Sequence, residues 1–120
     1  MIDYQLGVVE SHFADIIWEN EPISSTALTK LCAQELKWKK STTYTVLKRL
    51  CEKGIFKNSS GEVTSVIKKA DFYALQSEKF VETNFKGSLP AFLAAFSSRK
   101  NFTQEEINAL RQMVDSFKEG

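Results

Sequence analysis

The stretch Trp38 Lys39 Lys40 Ser41 Thr42 Thr43 Tyr44 Thr45 Val46 Leu47 Lys48 Arg49 Leu50, closed by Lys53 Gly54, decides the fold. Thr43, Val46, Leu47 and Leu50 recur at spacings of three and four, which places them on one face of a helix over Ser41 to Lys53, and Gly54 supplies its stop. With that face turned inward, Ser41, Thr42, Tyr44, Thr45, Lys48 and Arg49 lie on the free sides, with Lys39 and Lys40 at the entrance. Hydroxyl groups bond phosphates or base edges, a threonine methyl packs on the methyl of thymine, and Lys or Arg approaches guanine or phosphate. These eight residues are the candidate nucleic-acid contacts. An ordinary polar helix face carries the same residue types, so the neighbouring elements must decide between the two.

Upstream, Val9, Phe13, Ile16 and Ile17 fall at helical spacing within Leu6 to Asn20, and the pattern stops before Pro22, which disfavours helix in the residue preceding it. Ser24 or Ser25 can cap a second helix whose stripe is Leu28, Leu31 and Cys32, ending about Leu36. Downstream the period changes. Ile55, Phe56 and Lys57 lead into the polar tip Asn58 Ser59 Ser60 Gly61, and Val63 to Ile67 is rich in β-branched residues, which predicts a hairpin. Three short helices followed by a two-stranded ribbon is the order of a winged helix-turn-helix, in which the third helix enters the major groove and the wing lies beside the backbone. Residues 1–70 are expected to form that domain.

Residues 71–120 read as further helices, so the fold class is mainly α. A helical pattern runs from Asp71 to Phe85 and ends at Gly87; Ser88 then caps a short helix with Pro90 in its first turn. Thr103 and Glu106 have capping-box spacing, and Phe102 and Ile107 fit the accompanying staple. So short a segment cannot hide Phe72, Leu75, Phe80, Phe85, Leu89, Phe92, Phe96, Leu110, Val114 and Phe117 by itself, which predicts a dimerisation domain whose partner is a second copy of the chain.

The net charge of +1 over 120 residues hides a strong asymmetry. Met1 to Glu21 holds five acids and no Lys or Arg, whereas Lys37 to Lys57 holds seven bases against Glu52 alone. A local basic block in a near-neutral chain favours a polyanionic partner at that place. Catalysis has little to work with, because a nucleophile or general acid needs a base or orienting partner within hydrogen-bond reach, and the chain has a single histidine, His12, on a helix-one position that reads as surface. Cys32 and Cys51 sit on separate helices without a CxxC or a nearby histidine, so they read as core thiols; no metal site and no cofactor is expected. No apolar run approaches the length of about 20 residues that crosses a bilayer, and the acidic start lacks a basic leader, so a cytoplasmic location is expected.

The segments Ile16 Ile17 Trp18, Trp38 to Leu50, Lys53 Gly54, Gly87 Ser88 Leu89 and the stretch Thr103 to Leu110 resemble the penicillinase repressor family, over almost the whole chain. That family includes the β-lactamase and methicillin-resistance repressors and the copper-responsive repressors. The resemblance implies a dimeric winged-helix repressor that binds double-stranded operator DNA at inverted repeats with TACA and TGTA half-sites, its C-terminal helices intertwined between subunits. In the β-lactam branch it also implies a sensor protease as partner, cutting an Asn-Phe bond that aligns here with Ala95 Phe96. The copper branch ends in a cysteine-rich tail, and Phe117 Lys118 Glu119 Gly120 does not match it, so no copper site is implied. A winged helix also serves as a protein-interaction module without reading DNA; the basic third helix separates the two readings.

Overall fold

Helix α1 (Val8–Asn20) forms because Phe13, Ala14, Ile16 and Ile17 repeat at helical spacing, and all four are buried. Asn20 Nδ2 donates to the Ile16 carbonyl at 2.7 Å, and Glu21, ahead of Pro22, is already extended. Strand β1 (Ile23–Ser24) follows and is not legible in the sequence. It is two residues long and exists only through its pairing. In helix α2 (Ser25–Glu35), Ser24 Oγ accepts the Ala27 N–H at 3.0 Å, the expected cap, and Leu28, Thr29 and Cys32 are buried. Helix α3 (Lys40–Glu52) buries Thr43, Val46, Leu47 and Leu50, the face expected for it. Its N-cap residue is Lys39, which makes no side-chain cap bond.

Strands β2 (Phe56–Ser59) and β3 (Glu62–Ser65) form the expected hairpin, and the sheet order is β1-β3-β2, antiparallel throughout. Ser59 pairs with Glu62, leaving a two-residue turn in which Ser60 and Gly61 have φ of 51° and 88°. Both central residues at positive φ make the turn whose twist matches that of the flanking strands, and Gly61 is the residue that takes such a φ without strain. Phe56 and Val63 point into the core, and Lys57 points out.

Helices α4 (Lys69–Phe85), α5 (Leu89–Ser97) and α6 (Gln104–Ser116) complete the structure, which is a computed structural model describing residues 3–117. The chain divides into two compact units, Met1–Glu78 and Lys79–Gly120, which part inside α4. The start of α4, through Glu78, goes to the first unit for a physical reason. Phe72 is 0% exposed, with its ring 5.4 Å from Tyr4, 5.5 Å from Trp18 and 5.2 Å from Tyr73, and Gln76 Nε2 donates to the Tyr4 carbonyl at 2.6 Å. Phe72, expected on the dimer face, is therefore a core residue of the winged helix and has no surface to offer a partner.

The wing is anchored at its base by Glu21. Its carboxylate accepts the Ser65 N–H and hydroxyl, both at 2.8 Å, and lies 3.4 Å from Lys68 Nζ. Burial pushes this carboxyl up, but the two Ser65 donors and Lys68 more than reverse that, holding it below its ordinary value. A pKa lowered by folding means that the carboxylate stabilises fully above the unfolded value of 4.5 and that this stability disappears as pH falls through the folded value. Glu21→Gln is expected to lose about 1–3 kcal/mol at neutral pH, since it removes a charged acceptor from the half-buried Ser65 donors. Urea titrations from neutral pH into the acid range check this: wild type and variant should differ at neutral pH and converge as pH falls through the folded value of Glu21.

Candidate nucleic-acid interface

The exposed side of α3 is set by what the other side buries. Ser41, Thr45 and Lys48 form one line opposite Thr43, Val46, Leu47 and Leu50, with Tyr44 on one flank and Thr42 and Arg49 on the other; all six are exposed. Lys39 and Lys40, also exposed, stand at its N-terminal end. Thr45 Oγ1 donates to the Ser41 carbonyl at 2.9 Å, which fixes its rotamer and leaves its methyl group and lone pairs free. Lys39, Lys40 and Lys48 make no ion pair among the described residues.

Two of the eight predicted contacts reach side chains of other elements. The Tyr44 hydroxyl donates to Ser25 Oγ at 3.2 Å, bracing α3 against the start of α2. The Arg49 guanidinium lies 3.6 Å from Glu10 Oε2. From the sequence both read as free, because periodicity sees only the helix on which they sit.

The wing is tied to the same side of the molecule. β1 pairs with β3, Ile23 opposite Val63, and the Ser25 N–H donates to the Gly61 carbonyl at 2.7 Å. The start of α2, the wing tip and α3 are thus joined through hydrogen bonds, with Ser25 taking part in two of them. Lys57, exposed on β2, adds a cation on the wing; it belongs to the basic block of the sequence but lies outside the eight predicted contacts. Buried Cys32 and half-buried Cys51 are free thiols whose pKa is pushed up by burial, the state of inert core groups.

A third helix with an open polar face, held to a wing by a short third strand, is the geometry of a winged helix-turn-helix. The family sequence model described as "Penicillinase repressor" matches residues 6–116 of the chain. The chain belongs to the penicillinase repressor family. Its relatives include the penicillinase repressor of Bacillus licheniformis, 26% identical over 118 residues, which cover 95% of this chain and 92% of the relative. The methicillin resistance regulatory protein MecI of Staphylococcus aureus (strain Mu50 / ATCC 700699) is 23% identical over 116 residues, covering 93% and 94%. MecI of Mammaliicoccus sciuri is 22% identical with the same coverage. The penicillinase repressor family match makes this chain a transcriptional repressor by kinship, and these relatives are regulators and not enzymes. No helix among the described residues is long and apolar enough to cross a membrane.

The second unit contains none of these contacts. Its rings form a chain, Phe80 to Phe92 at 6.1 Å, Phe85 to Phe92 at 5.6 Å, Phe92 to Phe96 at 6.0 Å and Phe96 to Phe102 at 6.0 Å. Yet no described residue of this unit is buried; Leu75, in the first unit, is likewise exposed. Leu93 and Met113, not among the predicted dimer residues, are exposed apolar groups of the same unit.

Proposed function

We propose that the chain is a sequence-specific operator-binding repressor acting as a homodimer. The observation that carries the reading is the line Ser41, Thr45 and Lys48, exposed and pointing away from the core on a helix that the fold presents beside the wing. Lys39, Lys40 and Lys57 flank it as the candidates for phosphate contacts, while the hydroxyls and Lys48 are placed to meet base edges or phosphates. The resemblance to operator-binding repressors supports inverted repeats with TACA and TGTA half-sites as the target. The second unit supports dimerisation, since none of its described residues is buried although its rings pack on one another. Two protomers present paired third helices to half-sites about one DNA turn, roughly 34–36 Å, apart. The regulated state belongs in the cytoplasm, where the operator is.

In this reading a sensor protease is a second partner, acting between Ala95 and Phe96. Both residues lie in α5 and are exposed, although Ala95 stands where the family's β-lactam branch has asparagine.

Lys48→Ala tests the DNA reading. Binding to a duplex carrying the inverted repeat should weaken, and if Lys48 meets a phosphate, the slope of log affinity against log salt should flatten by about 0.9 for each phosphate no longer neutralised. If it meets a base, the affinity should fall by about 1–3 kcal/mol, concentrated at one operator position. Fluorescence anisotropy across a salt series distinguishes these results. Affinity and slope unchanged in Lys48→Ala, Lys40→Ala and Thr45→Ala together would leave the interaction-module reading in its place.

A further inference from the structure

The basic block and the acidic start of the chain, separate features in the sequence, meet at Glu10. This residue is at the third position of α1, and its Oε1 accepts the Gly7 N–H at 3.2 Å, so the helix entrance orients the carboxylate. Two cations of α3's C-terminal end converge on it: Lys53 Nζ at 3.3 Å from Oε1 and Arg49 at 3.6 Å from Oε2. Burial pushes the Glu10 carboxyl up, but the Gly7 N–H, Lys53 and Arg49 together hold it below its ordinary value, so it is charged whenever DNA is encountered at neutral pH.

The two cations are held differently. Lys53 is locked: its side chain is 19% exposed, its Nζ also donates to the Gln5 carbonyl at 2.6 Å, and its own carbonyl accepts the Asp3 N–H at 3.0 Å. Arg49 is only restrained. Its side chain is 54% exposed, its distance to Glu10 is too long for a well-formed hydrogen bond, and Glu10 Oε2 has no hydrogen-bond partner. Arg49 also sits on the flank of the face that carries Ser41, Thr45 and Lys48, within one turn of Lys48.

We infer that Glu10 is a specificity-determining residue, an internal counter-anion that withholds Arg49 from the phosphate backbone. Phosphate contacts strengthen binding to every sequence alike, whereas base contacts strengthen binding to one. A carboxylate that keeps one guanidinium from phosphates therefore lowers the background on non-operator DNA and leaves the base-reading line untouched. This inference rests on the DNA-reading role proposed above.

The test uses the full chain and two duplexes, one with the inverted repeat and one of scrambled sequence, over about 50–200 mM salt. Glu10→Gln keeps the acceptor for Gly7 and the preferred residue type of a capping box while removing the charge. Its affinity for the scrambled duplex should rise about three- to tenfold at the low-salt end, with a slope steeper by about 0.9 for each guanidinium released. The operator-to-scrambled ratio should fall correspondingly. Adding Arg49→Ala to Glu10→Gln should abolish the gain, and Arg49→Ala should cost less scrambled-duplex affinity in the wild-type background, where Glu10 holds the guanidinium, than in the Glu10→Gln background. An unchanged scrambled-duplex affinity in Glu10→Gln, or a gain that survives Arg49→Ala, overturns the inference while leaving the DNA reading intact. If the wild-type chain shows no salt-dependent binding to either duplex, the DNA reading itself fails, and the role of Glu10 with it.

Discussion

An alanine at Phe72 is expected to lower the unfolding free energy of the first unit by about 3–5 kcal/mol and to leave subunit association unchanged. The ring is fully enclosed, with Tyr4, Trp18 and Tyr73 as aromatic neighbours, and Trp18 also meets Phe56 at 5.2 Å and donates its Nε1–H to the Ile67 carbonyl at 3.1 Å. Removing the ring leaves a cavity lined by groups that are themselves pinned, so the site cannot collapse cheaply. Urea unfolding followed by tryptophan fluorescence reports the destabilisation, because Trp18 sits at the wall of the cavity. Sedimentation of the same variant separates this core role from the dimer-face role expected from the sequence. A dimer-face residue would weaken association and leave the winged helix intact; a core residue does the reverse.

That residue also shows where the sequence stops being informative. Phe72 belongs to the same helical stripe as Leu75, and periodicity says only that the stripe is buried, not against what. Which unit receives it depends on Tyr4 and Trp18, more than fifty positions away in sequence. The helices with local signals are legible because their determinants are local: Ser24 capping α2, Gly54 after α3, and the Thr103–Glu106 capping box, in which Thr103 Oγ1 accepts the Glu106 N–H at 3.1 Å and Glu106 Oε1 accepts the Thr103 N–H at 2.9 Å. Strand β1 has no such signal, since two residues carry no alternation and only Val63 and Glu62 across the sheet make them a strand. The free face of α3 can be read from the four residues that turn inward. The pairing of Arg49 with Glu10 cannot, because charge counting shows an acidic segment and a basic one without showing that they touch.

Ending the chain after Ser98, which removes α6, is expected to convert the proposed dimer into a monomer and to lower its affinity for a two-half-site operator by about 100-fold or more. The apolar side of α6 is open. Met113 is 53% and Val114 61% exposed, and a shallow apolar groove along the helix is lined by Ile107, Leu110 and Val114 with Arg111 and Asp115 at its edge. An amphipathic helix with its apolar side uncovered is stable in water only when something covers that side. If a second copy covers it, removing the helix abolishes subunit association without altering any residue of α3 or the wing. The first unit retains its core, from Phe13 and Ile17 through Leu28, Leu50, Phe56 and Val63 to Phe72, so it should remain folded and bind a single half-site as the intact protein does. What disappears is the effective concentration that linkage gives the second half-site, and that accounts for the whole of the weakening. Sedimentation at micromolar concentration and titration of one-half-site and two-half-site duplexes measure the two parts separately. A truncated chain that still sediments as a dimer and holds the full operator as tightly as the intact one would place the interface elsewhere, and α6 would then need another partner.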